Sequence, residues 1–207
     1  MLKKNKIGTL AILALILLIT IGINVRNSDE GILFDEQVME YIHSRTTPLG
    51  ISIMKKITYL GSVNFLIPLS VIILFKMARN RNISGIILLI LSLAGSFGLN
   101  FIIKGIFIRT RPVEYFLIEQ GGYSFPSGHS MVSMSFYTTM TYLLTKNQKQ
   151  KKVKRGLWIA NYIMVGAIGF SRIYLGVHWP TDVIVGYLLG YLFYYILIDI
   201  YSKRLPS

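Results

Sequence analysis

The 207-residue chain contains no cysteine. That excludes disulfide bridges and lipid attachment through a thiol, and it leaves the redox compartment unmarked. Acid is scarce as well: 9 Asp and Glu stand against 22 Lys and Arg, a formal net charge of +13. Charged residues of both signs make up only 15% of the chain, against roughly 25% in soluble domains. Helices of a soluble protein need a polar face, and this composition does not supply enough of them. No internal repeat, low-complexity tract or linker divides the chain. Residues 1–207 therefore read as one unit.

What the chain has instead is long apolar blocks, with 53% hydrophobic residues and a mean hydropathy of +0.54. A helix crosses a bilayer with roughly 20 apolar residues. Six stretches approach or meet that length: Ile7–Val25, Ile57–Phe75, Ile83–Ile103, Ser127–Thr145, Leu157–Leu175 and Asp182–Ile200. The expected fold class is thus all-α, an integral membrane bundle of six transmembrane helices. Pro68 is compatible with the second stretch, since membrane helices tolerate proline. Lys3, Lys4 and Lys6 before the first stretch resemble a signal sequence. The run is longer than a signal core, however, and lacks a small-residue cleavage site, so a retained anchor is expected.

The basic residues do not point to nucleic acid. Lys3, Lys4, Lys6, Lys76, Arg79, Arg81, Lys146, Lys149, Lys151, Lys152, Lys154, Arg155, Lys203 and Arg204 fall at the two ends and in alternate loops, with no acid among them. Asp29, Glu30, Asp35, Glu36, Glu40, Glu114, Glu119 and Asp182 fall in or beside the other loops. This is the positive-inside pattern. It predicts a cell-membrane protein with both termini cytoplasmic and the loops at 26–56, 104–126 and 176–182 outside. Within 26–56, apolar Ile32, Leu33, Val38, Met39, Tyr41 and Ile42 interleave with Asp35, Glu36 and Glu40. This segment is either a short amphipathic helix on the outer surface or an ordinary polar loop.

Ionisable side chains at membrane depth cost at least about 2.5–3.5 kcal/mol at a helix centre, which makes them functional candidates. The expected topology delivers Lys104, Arg109, Arg111, His129, Arg172, His178 and Asp182 to one membrane face. Lys104, Arg111 and Arg172, three cations with few acids nearby, suit a multiply charged oxyanion, which arginine grips with a fork and lysine with a point charge. Pro126-Ser127-Gly128-His129 stands where the fourth helix begins, and a helix N-terminus is a ready phosphate site. Asp182, four positions after His178, is placed to fix the tautomer of that ring and free its other nitrogen for attack. Taken singly, each residue has a plainer reading. Lys104 and Arg172 would snorkel to the interface, and Asp182 would be an ordinary N-terminal acid. Asp199 and Tyr187, Tyr191, Tyr194 and Tyr195 keep such readings. Gly186 and Gly190 form a small-x3-small spacing that suits close helix packing. No residues stand at metal-ligand spacing, and no cofactor is expected.

These residues resemble the motifs of the type-2 phosphatidic acid phosphatase superfamily. Lys-x6-Arg-Pro stands as Lys104 with Arg111-Pro112. Pro-Ser-Gly-His stands as Pro126 to His129. Ser-Arg-x5-His-x3-Asp stands as Ser171-Arg172, His178 and Asp182. All three are complete and in order, within a motif-bearing core at 83–200. The resemblance implies a metal-independent membrane lipid phosphatase, with His178 as nucleophile, Asp182 stabilising its ring and His129 as the proton donor and acceptor. It implies that Lys104, Arg111, Ser127, Gly128 and Arg172 hold the phosphate, with Arg109 and Ser171 secondary. Phosphatidylglycerophosphate, undecaprenyl pyrophosphate and phosphatidic acid are the substrates it suggests, and the bilayer is the expected partner. Phosphoryl transfer between lipids, or a non-enzymatic anion channel, are the alternatives. The two histidines and Asp182 argue against a channel, because permeation does not require them.

Overall fold

The computed structural model describes residues 12, 15, 16, 18–26 and 31–204, and every regular element among them is helical. Seven longer helices follow in order, with a 3-10 turn at Val113–Tyr115 between the fourth and fifth: α1 (Leu33–His43), α2 (Pro48–Tyr59), α3 (Val63–Arg79), α4 (Ile83–Phe107), α5 (Gly128–Thr145), α6 (Lys151–Tyr174) and α7 (Pro180–Arg204). Before α1 the chain is helical from Leu18 to Val25. The remainder of the expected first span, apart from Ile12, Leu15 and Ile16, lies outside the described residues.

By length and composition α4, α6 and α7 can each cross a membrane, and α2 with α3 forms a fourth candidate bent by 41°. The expected span Ile57–Phe75 straddles that bend. The chain turns at Leu60–Ser62, where the Ser62 hydroxyl bonds back to Tyr59 O at 2.7 Å. Pro68 lies inside α3. The expected Ile83–Ile103 is extended to Phe107, through a π-helical turn at Leu91–Gly95. There Ser92 meets Ser135 of α5, hydroxyl to hydroxyl, at 2.9 Å.

The expected fourth span is a helix of a different kind. α5 is long enough but falls outside the set apolar enough to count as a span. Eleven of its eighteen residues are buried, seven of those being Ser or Thr. α5 is the hub of the bundle, with α4, α6 and α7 packed around it. Its small hydroxyl side chains let neighbours approach closely and bond within the protein. The Gly186 and Gly190 spacing works from the other side. A Cβ at Gly190 would stand 2.3 Å from Met131 O, and one at Gly186 2.8 Å from Ser127 O.

α1 exists as a helix, with its faces allocated differently from a simple surface amphipath. Leu33, Phe34 and Tyr41 are exposed, whereas Met39 and the carboxylate of Asp35 are fully buried. Three apolar clusters hold the bundle. Val25, Phe107, Phe125 and Met131 belong to one, Leu66, Phe136 and Ile168 to another, and Met39, Trp179 and Val183 to the third, beneath α1.

Candidate active site

Four chain reversals deliver the polar residues to one place. α4 ends at Ile108, which adopts the left-handed conformation at φ 50° and ψ 37°. That is an uncommon state for a β-branched residue. It turns the chain directly after Lys104, so that Arg109 and Arg111 both return toward the bundle. The next segment passes through a cis Phe125–Pro126 bond into Ser127, which caps α5 by accepting from Ser130 N at 3.5 Å. Gly176, at φ +73°, makes the turn between Arg172 and His178. A Cβ there would lie 1.8 Å from Tyr115 O, so glycine is required. Pro180 then starts α7, with Asp182 in its first turn.

The result is a cavity of about 840 Å³ whose lining includes Lys104, Arg111, Gly128, His129, Arg172 and His178. Its other walls are apolar, with Val63 and Leu66 from α3 and Leu93, Phe97 and Phe101 from α4. The cavity therefore has one polar and one hydrocarbon-like region. Both histidines of the motifs face it.

Each cation is held by neutral oxygens, which fixes its position without cancelling its charge. Lys104 Nζ donates to Tyr123 O at 2.5 Å and Ser124 O at 2.9 Å. Arg111 donates to Gly122 O at 2.9 Å, Val177 O at 2.5 Å and Tyr123 O at 3.1 Å. Arg172 donates to Thr58 Oγ1 at 2.8 Å and Gln120 Oε1 at 2.7 Å, and its buried Nε has no hydrogen-bond partner among the described residues. His178 Nδ1 lies 3.2 Å from Asp182 Oδ2, and Nε2 lies 3.2 Å from Arg111 Nη1. An ionised carboxylate only accepts and a guanidinium only donates. This pair of contacts therefore places the proton on Nδ1 and the lone pair on Nε2. Burial pushes His178 well below its ordinary pKa, and the charges of Arg111, Lys104 and Arg172 act in the same direction. The ring is a neutral base at physiological pH.

Three expected site residues lie behind the cavity wall instead of on it. Arg109 is fully buried, with Nη2 2.7 Å from Asp35 Oδ2 and Nη1 2.8 Å from Asp182 Oδ1. Two carboxylates take up its fork, which leaves it no part in a phosphate contact. The Ser171 hydroxyl donates to Ile168 O and closes the last turns of α6. Ser127 bonds within the start of α5 and passes its N–H to Asp182 O at 3.0 Å. Sequence reasoning missed Thr58, Gln120, Thr181 and Asp35. Thr58, Gln120 and Asp35 belong to segments without a motif, and Thr181 fills an unspecified position of the third motif, directly before Asp182. Among the described residues, no group of three or more His, Asp or Glu is arranged to hold a metal ion.

Residues 85–206 match the PAP2 superfamily. The chain belongs to this family. Among its relatives, phosphatidylglycerophosphatase B of Bacillus subtilis is 36% identical over 146 residues, covering 70% of this chain and 72% of that protein. Undecaprenyl-diphosphatase of Sulfolobus acidocaldarius is 28% identical over 186 residues, covering 86% of this chain and 84% of its own. The crystal structure of a transmembrane PAP2 type phosphatidylglycerolphosphate phosphatase from Bacillus subtilis superposes with a TM-score of 0.86 at 31% identity. That match covers 97% of this chain and 98% of the other. Aquifex aeolicus LpxE superposes with a TM-score of 0.66 at 27% identity, over 82% and 98%. The PAP2 fold accounts for the helical membrane architecture, and the bundle makes this a multi-pass membrane protein.

Proposed function

We propose that this PAP2-family lipid phosphatase works through a phosphohistidine on His178, without a metal ion. The observation that carries the reading is the single cavity that joins a cluster of fixed cations and two imidazoles to an apolar region. A lipid phosphate fits it, with the phosphate at the polar end and hydrocarbon along α3 and α4. A free anion would have no use for the apolar half.

The residues divide the work as follows. Lys104, Arg111 and Arg172 hold the phosphoryl oxygens, together with the free N–H groups at the start of α5 around Gly128, for which Ser127 is the cap. His178 Nε2 attacks phosphorus, the bond from phosphorus to the lipid oxygen breaks, and His129 gives that oxygen a proton. A positive charge develops on the His178 ring as the N–P bond forms, and Asp182 stabilises it through Nδ1–H. Water then attacks the phosphohistidine, His129 takes up its proton, and inorganic phosphate leaves. The cations need no rearrangement as charge builds on phosphorus, which is the preorganisation that phosphoryl transfer rewards.

The named relatives favour phosphatidylglycerophosphate and undecaprenyl diphosphate as substrates, with phosphatidic acid a smaller member of the same class. The charge pattern of the loops supports six spans, cytoplasmic termini and a cavity on the outer side. α1 would then lie at the outer interface, with Leu33, Phe34 and Tyr41 turned toward lipid.

The test is phosphate release by purified protein, in EDTA, from these three lipids. Turnover that survives chelation supports the reading, and full dependence on an added divalent ion refutes it. His178→Ala should abolish trapped phosphoenzyme, whereas His129→Ala should still form it slowly. Equal labelling of wild type and His178→Ala removes His178 from the nucleophile's role.

A further inference from the structure

Asp35 belongs to no motif and lies on α1, yet its side chain is fully buried and every contact it makes leads to the catalytic helix. Its Oδ1 accepts from Thr181 N at 2.9 Å. Its Oδ2 accepts from the Thr181 hydroxyl at 2.7 Å and from Arg109 Nη2 at 2.7 Å. Arg109 Nη1 in turn donates to Thr181 Oγ1 at 2.9 Å and to Asp182 Oδ1 at 2.8 Å. The other oxygen of Asp182 receives Trp179 N at 3.0 Å and His178 Nδ1 at 3.2 Å. Asp35, Arg109, Asp182 and His178 thus form a continuous chain, and none of the three charged links lines the cavity.

We propose that Asp35 is a positioning residue for the histidine nucleophile, acting through Arg109 and Asp182. The inference rests on the phosphohistidine reading of His178. Two consequences of the geometry support it. A guanidinium facing one carboxylate tends to grip both its oxygens. Here Asp35 occupies one arm of the Arg109 fork, so the guanidinium engages only Oδ1 of Asp182, and Oδ2 stays with the imidazole. The second consequence concerns charge. Asp35, Asp182 and Arg109 together carry one net negative charge in a buried site. That negative charge faces the ring on which positive charge develops as the N–P bond forms. Without Asp35, Arg109 and Asp182 would be a neutral pair, and the developing imidazolium would lose that support. Asp35 also sits at the first turn of α7, where an anion is favoured by the helix dipole.

The experiment uses the full-length protein in detergent with phosphatidylglycerophosphate micelles, and inorganic phosphate as inhibitor. Asp35→Asn should lower kcat about tenfold or more, with KM and the inhibition constant for phosphate within about twofold of wild type. Arg109→Lys, whose single ammonium group cannot hold both carboxylates, should show the same split. The double variant should lose no more than the worse single one, because the residues act as one unit. Wild-type kcat in Asp35→Asn overturns the inference. So does a loss confined to KM or phosphate affinity, or losses that add in the double variant. If Asp35→Asn does not fold, as judged by thermal unfolding, Arg109→Lys decides by the same kcat-against-KM criterion. His178→Ala is labelled in parallel. Phosphoenzyme persisting there overturns the nucleophile assignment itself. Its loss there, beside an undiminished Asp35→Asn enzyme, overturns only the role of Asp35.

Discussion

Arg111 Nη1 lies 3.2 Å from His178 Nε2, so a cation of the cavity wall and the unprotonated nitrogen of the imidazole are direct neighbours. The remaining donors of the guanidinium are tied to backbone carbonyls of two separate loops, 121–123 and Val177. This arginine both offers charge and sets the distance between the motif-one loop and His178.

Arg111→Lys should therefore be far from conservative. A lysine keeps the charge but cannot reach several carbonyls and a phosphate together. We expect kcat/KM to fall about 100-fold, a loss of about 3 kcal/mol of transition-state stabilisation. Steady-state phosphate release checks it, and a loss under about threefold would contradict the bridging role.

The pH profile should reflect the burial of His178. Its pKa in the folded protein is lowered from 6.5, and the proposed attack needs a neutral ring. Protonation therefore stops the reaction only well below pH 6.5, and activity should persist through that value as pH falls. Phosphate monoesters have a second ionisation near about pH 6. The limb should thus be measured with a monoester and a diphosphate lipid, and the part common to both belongs to the enzyme. A common acidic limb above pH 6.5 would contradict the neutral, buried imidazole.

Thr58 anchors Arg172 from α2, across 114 positions of sequence. Thr58→Val keeps the shape and removes the acceptor, which leaves a buried guanidinium arm unpaired at a cost of about 1–3 kcal/mol. Part of that cost should appear as weaker anion binding, with inhibition by inorganic phosphate reduced about tenfold. An unchanged inhibition constant would show that Thr58 has no part in aiming Arg172.

Two glycines should respond oppositely to alanine. Gly176→Ala puts a Cβ against Tyr115 O at a backbone angle that alanine disfavours, so stability should drop by at least about 2 kcal/mol. At Gly156, within α6, none of the described residues lies within 4 Å of the added carbon. Gly156→Ala should stabilise the helix by about 0.5–1 kcal/mol. Thermal unfolding in detergent compares the two.

Much of the site was legible because its residues recur at fixed spacings around three helix ends. Lys104, Arg111, His129, Arg172 and His178 all line one cavity. What was not legible depended on partners far away in sequence. Arg109 was expected near phosphate because it is a cation beside Arg111, and only the folded chain brings it between Asp35 and Asp182. The segment of α1 was read as either an amphipathic surface helix or a polar loop, and alternation with apolar residues cannot show that Asp35 faces a buried guanidinium. The break within Ile57–Phe75 escaped notice for a related reason. Gly61 and Ser62 are unremarkable in an apolar run, and the bend becomes evident only where the chain packs against α5 and α6. Composition did reveal the membrane class, since a count of charged residues needs no tertiary information.

The π turn at Leu91–Gly95 has a consequence for spacing along α4. A π turn holds one residue more than regular helix, which swings everything beyond it by about 100° relative to the stretch before it. Leu88 and Leu89 on the near side are buried in the bundle, while Asn100 and Lys104 on the far side reach the cavity. Winding the same residues as ordinary helix, with the near half in place, would swing Lys104 away from the cavity by that angle, whereas deleting Ala94 removes the extra residue and keeps Lys104 facing it. All three motifs would keep their spacing in either case, and only the rewinding without a deletion would turn one of them the wrong way.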